Sequence, residues 1–191
     1  MLATRNAHKL RELGALLAPH DLEPLPDDVE LPPETGASFA ANALMKATAA
    51  ARATGRPALA DDSGIVVEAL DGAPGIQSAR YAGAGATDEQ NLAKLLEDLR
   101  GSKDRRAAYV CALALVDPAG GHHVFEERCE GTVIDDPRGS GGFGYDPAFV
   151  PDDRAPGDDR TMAELQPAEK DAISHRGRAA RAFIDWLSVR S

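Results

Sequence analysis

The sequence predicts an α/β fold: a mixed β-sheet flanked by helices, in two lobes with a central substrate cleft. Three observations predict it. Helical apolar stripes alternate with short β-branched runs through the first half of the 191 residues, two long strand-like runs joined by a turn follow in the second half, and the chemically distinctive stretches lie between elements, where ligands bind. With 43% hydrophobic residues the chain can bury a full core, and it reads as a single domain over residues 1–191.

Each element has its own signal. Leu2-Ala3-Thr4 reads as the end of a short first strand. Leu10, Leu13, Leu16 and Leu17 then share one face of a helix running to about Ala18 and stopped by Pro19. From Asp21 to Pro33, Pro24, Pro26, Pro32 and Pro33 among acidic residues predict an irregular connection. A second, alanine-rich helix is expected from Ser38, as its cap, to Thr54, with Gly55 in the stop position. Pro57-Ala58-Leu59-Ala60 and Ile65-Val66-Val67 have strand character, interrupted by Asp61-Asp62-Ser63-Gly64. Thr87 with Gln90 forms a capping box for a helix whose stripe is Leu92, Leu95, Leu96 and Leu99, ended by Gly101.

Ala107–Val116 and His123–Val133 flank Asp117-Pro118-Ala119-Gly120-Gly121 and read as an antiparallel hairpin. A glycine-rich run from Arg138 to Gly144 comes next, then a polar loop from Asp152 to Asp159. Thr161 with Glu164 caps a short helix, and a terminal helix from Ser174 to about Val189 turns Ala179, Ala180, Phe183, Ile184 and Leu187 inward.

Composition excludes several classes. The formal charge of −10, from 31 acidic against 21 basic residues, repels an extended polyanion and argues against nucleic-acid binding. No segment approaches the roughly 20 apolar residues that span a bilayer, and the N-terminus lacks a signal peptide's apolar core, so a cytoplasmic protein without membrane partners is expected. Cys111 and Cys129 have no metal-ligand spacing and sit in strand-like runs, which points to buried thiols.

Four stretches carry candidate chemistry. Thr4-Arg5-Asn6-Ala7-His8-Lys9 opens a helix, and unpaired amides there, with a hydroxyl and an ammonium, suit a phosphate; an ordinary cap beside a solvated lysine is the alternative. Asp61-Asp62-Ser63-Gly64 places two adjacent carboxylates that need solvent, a cation or donors. Mg²⁺ takes one or two carboxylates with waters and phosphate oxygens, and a carboxylate there can accept a proton from water; a solvated turn is the alternative. Gly139 to Gly144 formally matches GxGxxG, but Pro147 blocks the helix that a dinucleotide site needs, so an oxidoreductase reading fails. What remains is a flexible backbone carrying Phe143, Tyr145 and Asp146, able to stack on a base and accept its N–H groups, or else to close a hairpin with both rings in the core. Finally, Lys170, His175 and Arg176 concentrate donors near the start of the last helix, where a charged surface is the competing reading.

Taken together, Thr4 to Lys9, Glu34-Thr35-Gly36 through Asn42 and Lys46, Ala60 to Gly64, Pro74-Gly75 through Ser78-Ala79-Arg80-Tyr81, Gly141 to Pro147 and Ser174-His175-Arg176 closely resemble, in order and spacing, the inosine triphosphate pyrophosphatase family. The resemblance covers almost the whole chain. It implies hydrolysis of ITP, dITP or XTP to the monophosphate and pyrophosphate, with Mg²⁺ as cofactor and a homodimer as the assembly. It implies Asp62 as general base or organiser of the metal and the attacking water, with Glu34 as a second metal residue. Thr4, Arg5, Asn6, Ala7, His8 and Lys9 would hold the triphosphate, joined by Lys46, and Ser63 would contact the substrate. Phe143, Gly144, Tyr145 and Asp146 would line the base and ribose pocket, Lys170 would touch the substrate, and His175 with Arg176 would read the purine 6-oxo group. A non-catalytic purine nucleotide-binding regulatory module is the competing reading, and it would not need the Asp62 carboxylate. Two departures stand out. Many members have Gly at Arg5, so Arg5 either adds a phosphate contact or faces solvent, at negative φ; many also have an acidic residue at Pro33, which leaves only Glu34 there.

Overall fold

The structure, a computed structural model, describes residues 1–18, 20 and 22–190. The helix stop assigned to Pro19 and the loop start assigned to Asp21 lie outside the described residues. The elements are α1 (Ala7–Leu16), α2 (Phe39–Thr54), β1 (Ala58–Val67), α3 (Asp88–Asp98), β2 (Arg106–Val116), β3 (His122–Val133), β4 (Phe149–Pro151), α4 (Pro167–Ile173) and α5 (His175–Ser188), with short 3₁₀ turns between them. The strands hydrogen-bond in the order β1-β2-β3-β4, and β4 runs antiparallel to β3 with Val133 opposite Phe149. Gly131 makes this pairing possible, because a Cβ there would stand 2.6 Å from the Phe149 ring and 2.4 Å from the Val150 carbonyl oxygen. The sheet is mixed through Leu2, which bridges Leu59 and Pro24 in the parallel sense.

The chain divides into two compact units. The first comprises Met1–Asp62, Cys111–Glu127 and Arg176–Ser191; the second comprises Ser63–Val110 and Arg128–His175. In the first, Leu2, Leu13, Leu17, Leu59, Cys111, Leu113, Ala179, Ala180 and Phe183 make one buried cluster. Helix α2 follows its sequence closely: the Ser38 hydroxyl accepts from Ala41 N at 3.2 Å, Gly55 ends the helix at φ +65°, and Phe39, Asn42, Ala43, Lys46, Ala47 and Ala50 form its buried stripe. In the second unit, Ile65, Val67, Leu92, Leu95, Leu99, Tyr109, Val133, Tyr145, Phe149 and Met162 belong to a separate cluster. The α3 capping box forms as expected, with Thr87 N donating to Gln90 Oε1 at 2.8 Å. Cys111 and Cys129 are both buried.

Three expectations change. The first strand is reduced to isolated bridges at Leu2, and the chain enters α1 at Ala7. The acidic pair does not interrupt the strand: β1 runs unbroken through Asp61 and Asp62, because partners described below satisfy both carboxylates inside the fold. The terminal helix begins after Ser174 as expected, but the short helix capped by Thr161 is a single 3₁₀ turn (Met162–Glu164), followed by a separate helix, α4. Pro167 opens α4, and Ser174, with extended backbone at ψ 153°, separates it from α5.

Candidate active site

In the first unit, Asn6 caps α1: its Oδ1 accepts from His8 N at 2.9 Å and Lys9 N at 3.2 Å, while Thr4 Oγ1 accepts from Asn6 N. Ala7 and His8 are exposed at the same helix start. Lys9 turns inward, and its Nζ lies 2.9 Å from Asp61 Oδ2. Arg5 is exposed, and its side chain is also engaged. Its guanidinium donates to the carbonyl oxygens of Leu25, Pro26 and Val29 at 3.0, 2.6 and 2.9 Å, binding the proline-rich connection to this turn.

Asp61 and Asp62 are 1% and 5% exposed, so their environment must compensate for lost hydration. For Asp61 the compensation is cationic. Burial pushes its carboxyl up, but Lys9, Arg176 and Lys46 outweigh burial and hold it well below the usual carboxylate range. Arg176 Nη2 lies 3.6 Å from Asp61 Oδ2, and its Nη1 is paired with Glu12 on α1. Asp62 has a different balance. Burial raises its pKa, Lys46 pulls it back, and the neighbouring Glu34 carboxylate raises it further, leaving the group above its ordinary value.

Helix α2 supplies the groups that orient Asp62. Asn42 donates its amide to Asp62 Oδ2 at 2.9 Å and accepts from Gly36 N at 2.7 Å, so both ends of the side chain are fixed. One turn on, Lys46 Nζ lies 2.7 Å from Glu34 Oε1 and 3.6 Å from Asp62 Oδ1. Burial lowers the Lys46 pKa, while Asp61, Asp62 and Glu34 raise it by more, so the ammonium stays charged. Glu34 and Asp62 thus face one cationic centre. Their hard oxygen donors match Mg²⁺, which needs only one or two carboxylates and takes its other ligands from water and phosphate. Among the described residues, no group of three or more His, Cys, Asp or Glu forms a fuller metal cage.

In the second unit, Ser63 is half-buried on β1 and Gly64 follows it against Ser78. Ser78 Oγ accepts from Ile65 N at 3.0 Å and donates to Gly75 O at 2.6 Å. The glycine-rich loop is shaped by Asp146, whose Oδ2 accepts from Phe143 N at 2.9 Å and from Lys170 Nζ at 2.9 Å in a buried pair. Gly142, at φ +70°, has no room for a Cβ, which would stand 2.0 Å from that oxygen. Gly144 N donates to Asp88 Oδ2 at 2.9 Å. Lys170 Nζ sits 5.3 Å from the centroid of the half-buried Phe143 ring. Tyr145 does not share that position. It is a core residue, donating its hydroxyl to Ser78 O at 2.7 Å, which follows the hairpin-core reading of this loop for that ring. His175 is buried and stacked on Tyr109.

The structure gives these residues partners that the sequence did not assign to them. Asn42 carried a usable signal: an asparagine amid alanines, on the buried stripe and one turn from Lys46, is a poor helix former that needs a polar partner. Glu12 and Tyr109 gave no comparable sign, because each acts through contacts distant in the chain.

Fold and site together define an α/β protein with ionised, cross-linked side chains buried around the Asp61–Asp62 pair. The Ham1 family profile matches residues 1–186. Relatives named dITP/XTP pyrophosphatase include that of Geobacter sulfurreducens, 49% identical over 98% of this chain and 95% of its own, and that of Streptomyces coelicolor, 50% identical over 96% and 94%. Among solved structures, a HAM1 protein from Coxiella burnetii superimposes with a TM-score of 0.87 at 42% identity, covering 98% of this chain and 96% of the other. The nucleoside-triphosphatase, or dITP/XTP pyrophosphatase, of Mycobacterium abscessus gives 0.77 at 48% identity, covering 95% and 96%. The chain belongs to the Ham1 family.

Proposed function

We propose that this protein hydrolyses the non-standard purine nucleoside triphosphates dITP, ITP and XTP to the monophosphate and pyrophosphate, as one catalytic domain over residues 1–191. The relatives' names supply the reaction class and the substrates. The observation that carries the mechanism is the buried Asp62 carboxylate, oriented by Asn42 and facing Lys46 and Glu34. In the reaction the α–β phosphoanhydride bond breaks, a water oxygen becomes bonded to phosphorus, and Asp62 takes the water's proton. Burial and Glu34 raise its pKa, and Lys46 limits that rise. Asp62 and Glu34 would hold Mg²⁺, which would neutralise phosphate charge.

The other residues bind and orient. The α1 start, from Thr4 to Lys9, takes the triphosphate, with Lys46 reaching the same anion and Ser63 touching the substrate. Phe143 stacks on the base, Gly144 and Asp146 shape the base and ribose pocket around it, and Lys170 contacts the substrate from its pair with Asp146. Tyr145 supports that pocket from the core. His175 meets the 6-oxo group, an acceptor in inosine and xanthosine that adenine replaces with an amino donor. Arg176 shares that task by anchoring the α5 start through Glu12 and Asp61. The activity belongs in the cytoplasm, in a homodimer; among the described residues no helix is long and apolar enough to cross a membrane.

The test is a substrate panel with pyrophosphate detection, with and without Mg²⁺. dITP and XTP are expected to turn over far faster than dATP or dGTP, and Asp62→Asn to abolish turnover without unfolding the protein. Equal rates on all four nucleotides would refute the selectivity, and an active Asp62→Asn the mechanism.

A further inference from the structure

We propose that Tyr109 is a positioning residue that fixes the plane of the His175 ring and thereby sets discrimination at the purine 6-position. The proposal rests on the reading of His175 as the 6-oxo donor. Tyr109 lies on β2 with its ring centroid 4.7 Å from that of His175 and an interplanar angle of only 8°. Phe149 of β4 also meets the Tyr109 ring, at 4.7 Å and 58°, a tilted contact of the kind that aromatic quadrupoles favour. Gly131 leaves space for Phe149, so a glycine on β3 supports a phenylalanine on β4, which supports the tyrosine, which supports the histidine. All four belong to the second unit.

The parallel stack has a chemical consequence. Selecting a carbonyl over an amino group needs an N–H at a constant place, and an imidazole free to rotate would present C–H edges as readily. His175 begins α5 directly after the extended Ser174, so its backbone is flanked by a helix break, and the stack supplies constraint at the side chain. Misplacement of a substrate-positioning group by about 1 Å can cost up to about a hundredfold in rate, so a loose ring would erode selectivity before it affected Asp62 chemistry.

The experiment compares Tyr109→Phe and Tyr109→Leu in the full chain with Mg²⁺, measuring kcat/KM for dITP and dATP. Phe keeps a stacking ring and is expected to hold the wild-type ratio; Leu keeps apolar volume alone and is expected to lower it about tenfold, the upper end for a lost aromatic stack. An independent readout is the His175 ring-proton resonance, assigned by its loss in His175→Gln. It is expected upfield, shifted by the Tyr109 ring current, in the wild type and Tyr109→Phe, and relaxed in Tyr109→Leu. A folded Tyr109→Leu that keeps the full dITP preference overturns the proposal, as does Tyr109→Phe behaving like Leu. Should Tyr109→Leu fail to fold, the resonance decides: an unshifted His175 signal in the wild type overturns the proposal, and a shifted one kept in Tyr109→Phe together with the selectivity supports it. A wild-type enzyme with no preference for dITP over dATP would instead overturn the functional reading beneath it.

Discussion

Replacing Lys46 by Met removes the ammonium that Glu34 and Asp62 share while keeping a side chain of similar length. Lys46 lies 2.7 Å from Glu34 and 3.6 Å from Asp62, with side-chain exposures of 10%, 28% and 7% for Lys46, Glu34 and Asp62. Removing one partner of a buried ion pair costs about 3–5 kcal/mol. Because Glu34 is partly hydrated, the lower end applies, about 3 kcal/mol, which in a chain of this size lowers Tm by about 6–12 °C. The loss should depend on conditions. Were Mg²⁺ to bind Asp62 and Glu34 as proposed, a concentration about a hundredfold over its Kd would add about 2.7 kcal/mol to whichever protein binds it. Calorimetric melts of wild type and Lys46→Met, each in EDTA and in excess Mg²⁺, measure both terms. The variant should fall well below wild type in EDTA, and the difference should narrow in Mg²⁺ to the extent that its unpaired carboxylates bind the ion more tightly than the Lys46-paired ones of wild type. A variant within about 2 °C of wild type in EDTA would show that Lys46 does not carry the charge balance assigned to it.

Other perturbations follow the same geometry. Gly64→Ala forces a Cβ to within 2.3 Å of Ser78 Oγ and 2.6 Å of Gly75 O, so a loss of about 1–3 kcal/mol is expected in denaturant melts; adding Ser78→Gly should not restore it, because the Gly75 carbonyl remains. Asp61 titrates below its unfolded value of 3.8, so its contribution is complete above that value and is lost as pH falls through the depressed one. Asp61→Asn should therefore be less stable than wild type by a constant amount from about pH 5 to 8, with the gap narrowing below about pH 4; a gap that widens on acidification would contradict the charge assignment. Arg5→Gly removes three hydrogen bonds to the segment from Leu25 to Val29, so amide exchange there should quicken, read at Val29 N, which donates to Pro26 O at 3.1 Å. Unchanged exchange would show that the segment holds itself.

The elements legible in the sequence are those specified by local chemistry. Ser38 and Gly55 bound α2, Thr87 with Gln90 opens α3, and Asp117 turns the hairpin by accepting from Ala119 N and Gly121 N. Each involves residues a few positions apart. The stretches proposed as the site stood out by residue type, but how the fold uses them did not. Asp61 could be read as part of a cation site or of a solvated turn, because nothing near it in the chain could neutralise it; its cations come from Lys9 on α1 and Arg176 on α5. Tyr145 could be read as a pocket wall or as core, and only the distant Ser78 carbonyl decides for the core. Pro167 was the unread signal for α4, a proline in a helix's first turn rather than a loop breaker.

Neither compact unit is a continuous stretch of polypeptide: one is assembled from three segments and the other from two. No single gene fragment encodes either, so a frameshift or a stop codon late in the reading frame, even one sparing everything before Arg176, deprives the first unit of α5. No single cut, and no joining of the termini, would make either unit continuous, because Cys111–Glu127 of the first lies between the two segments of the second.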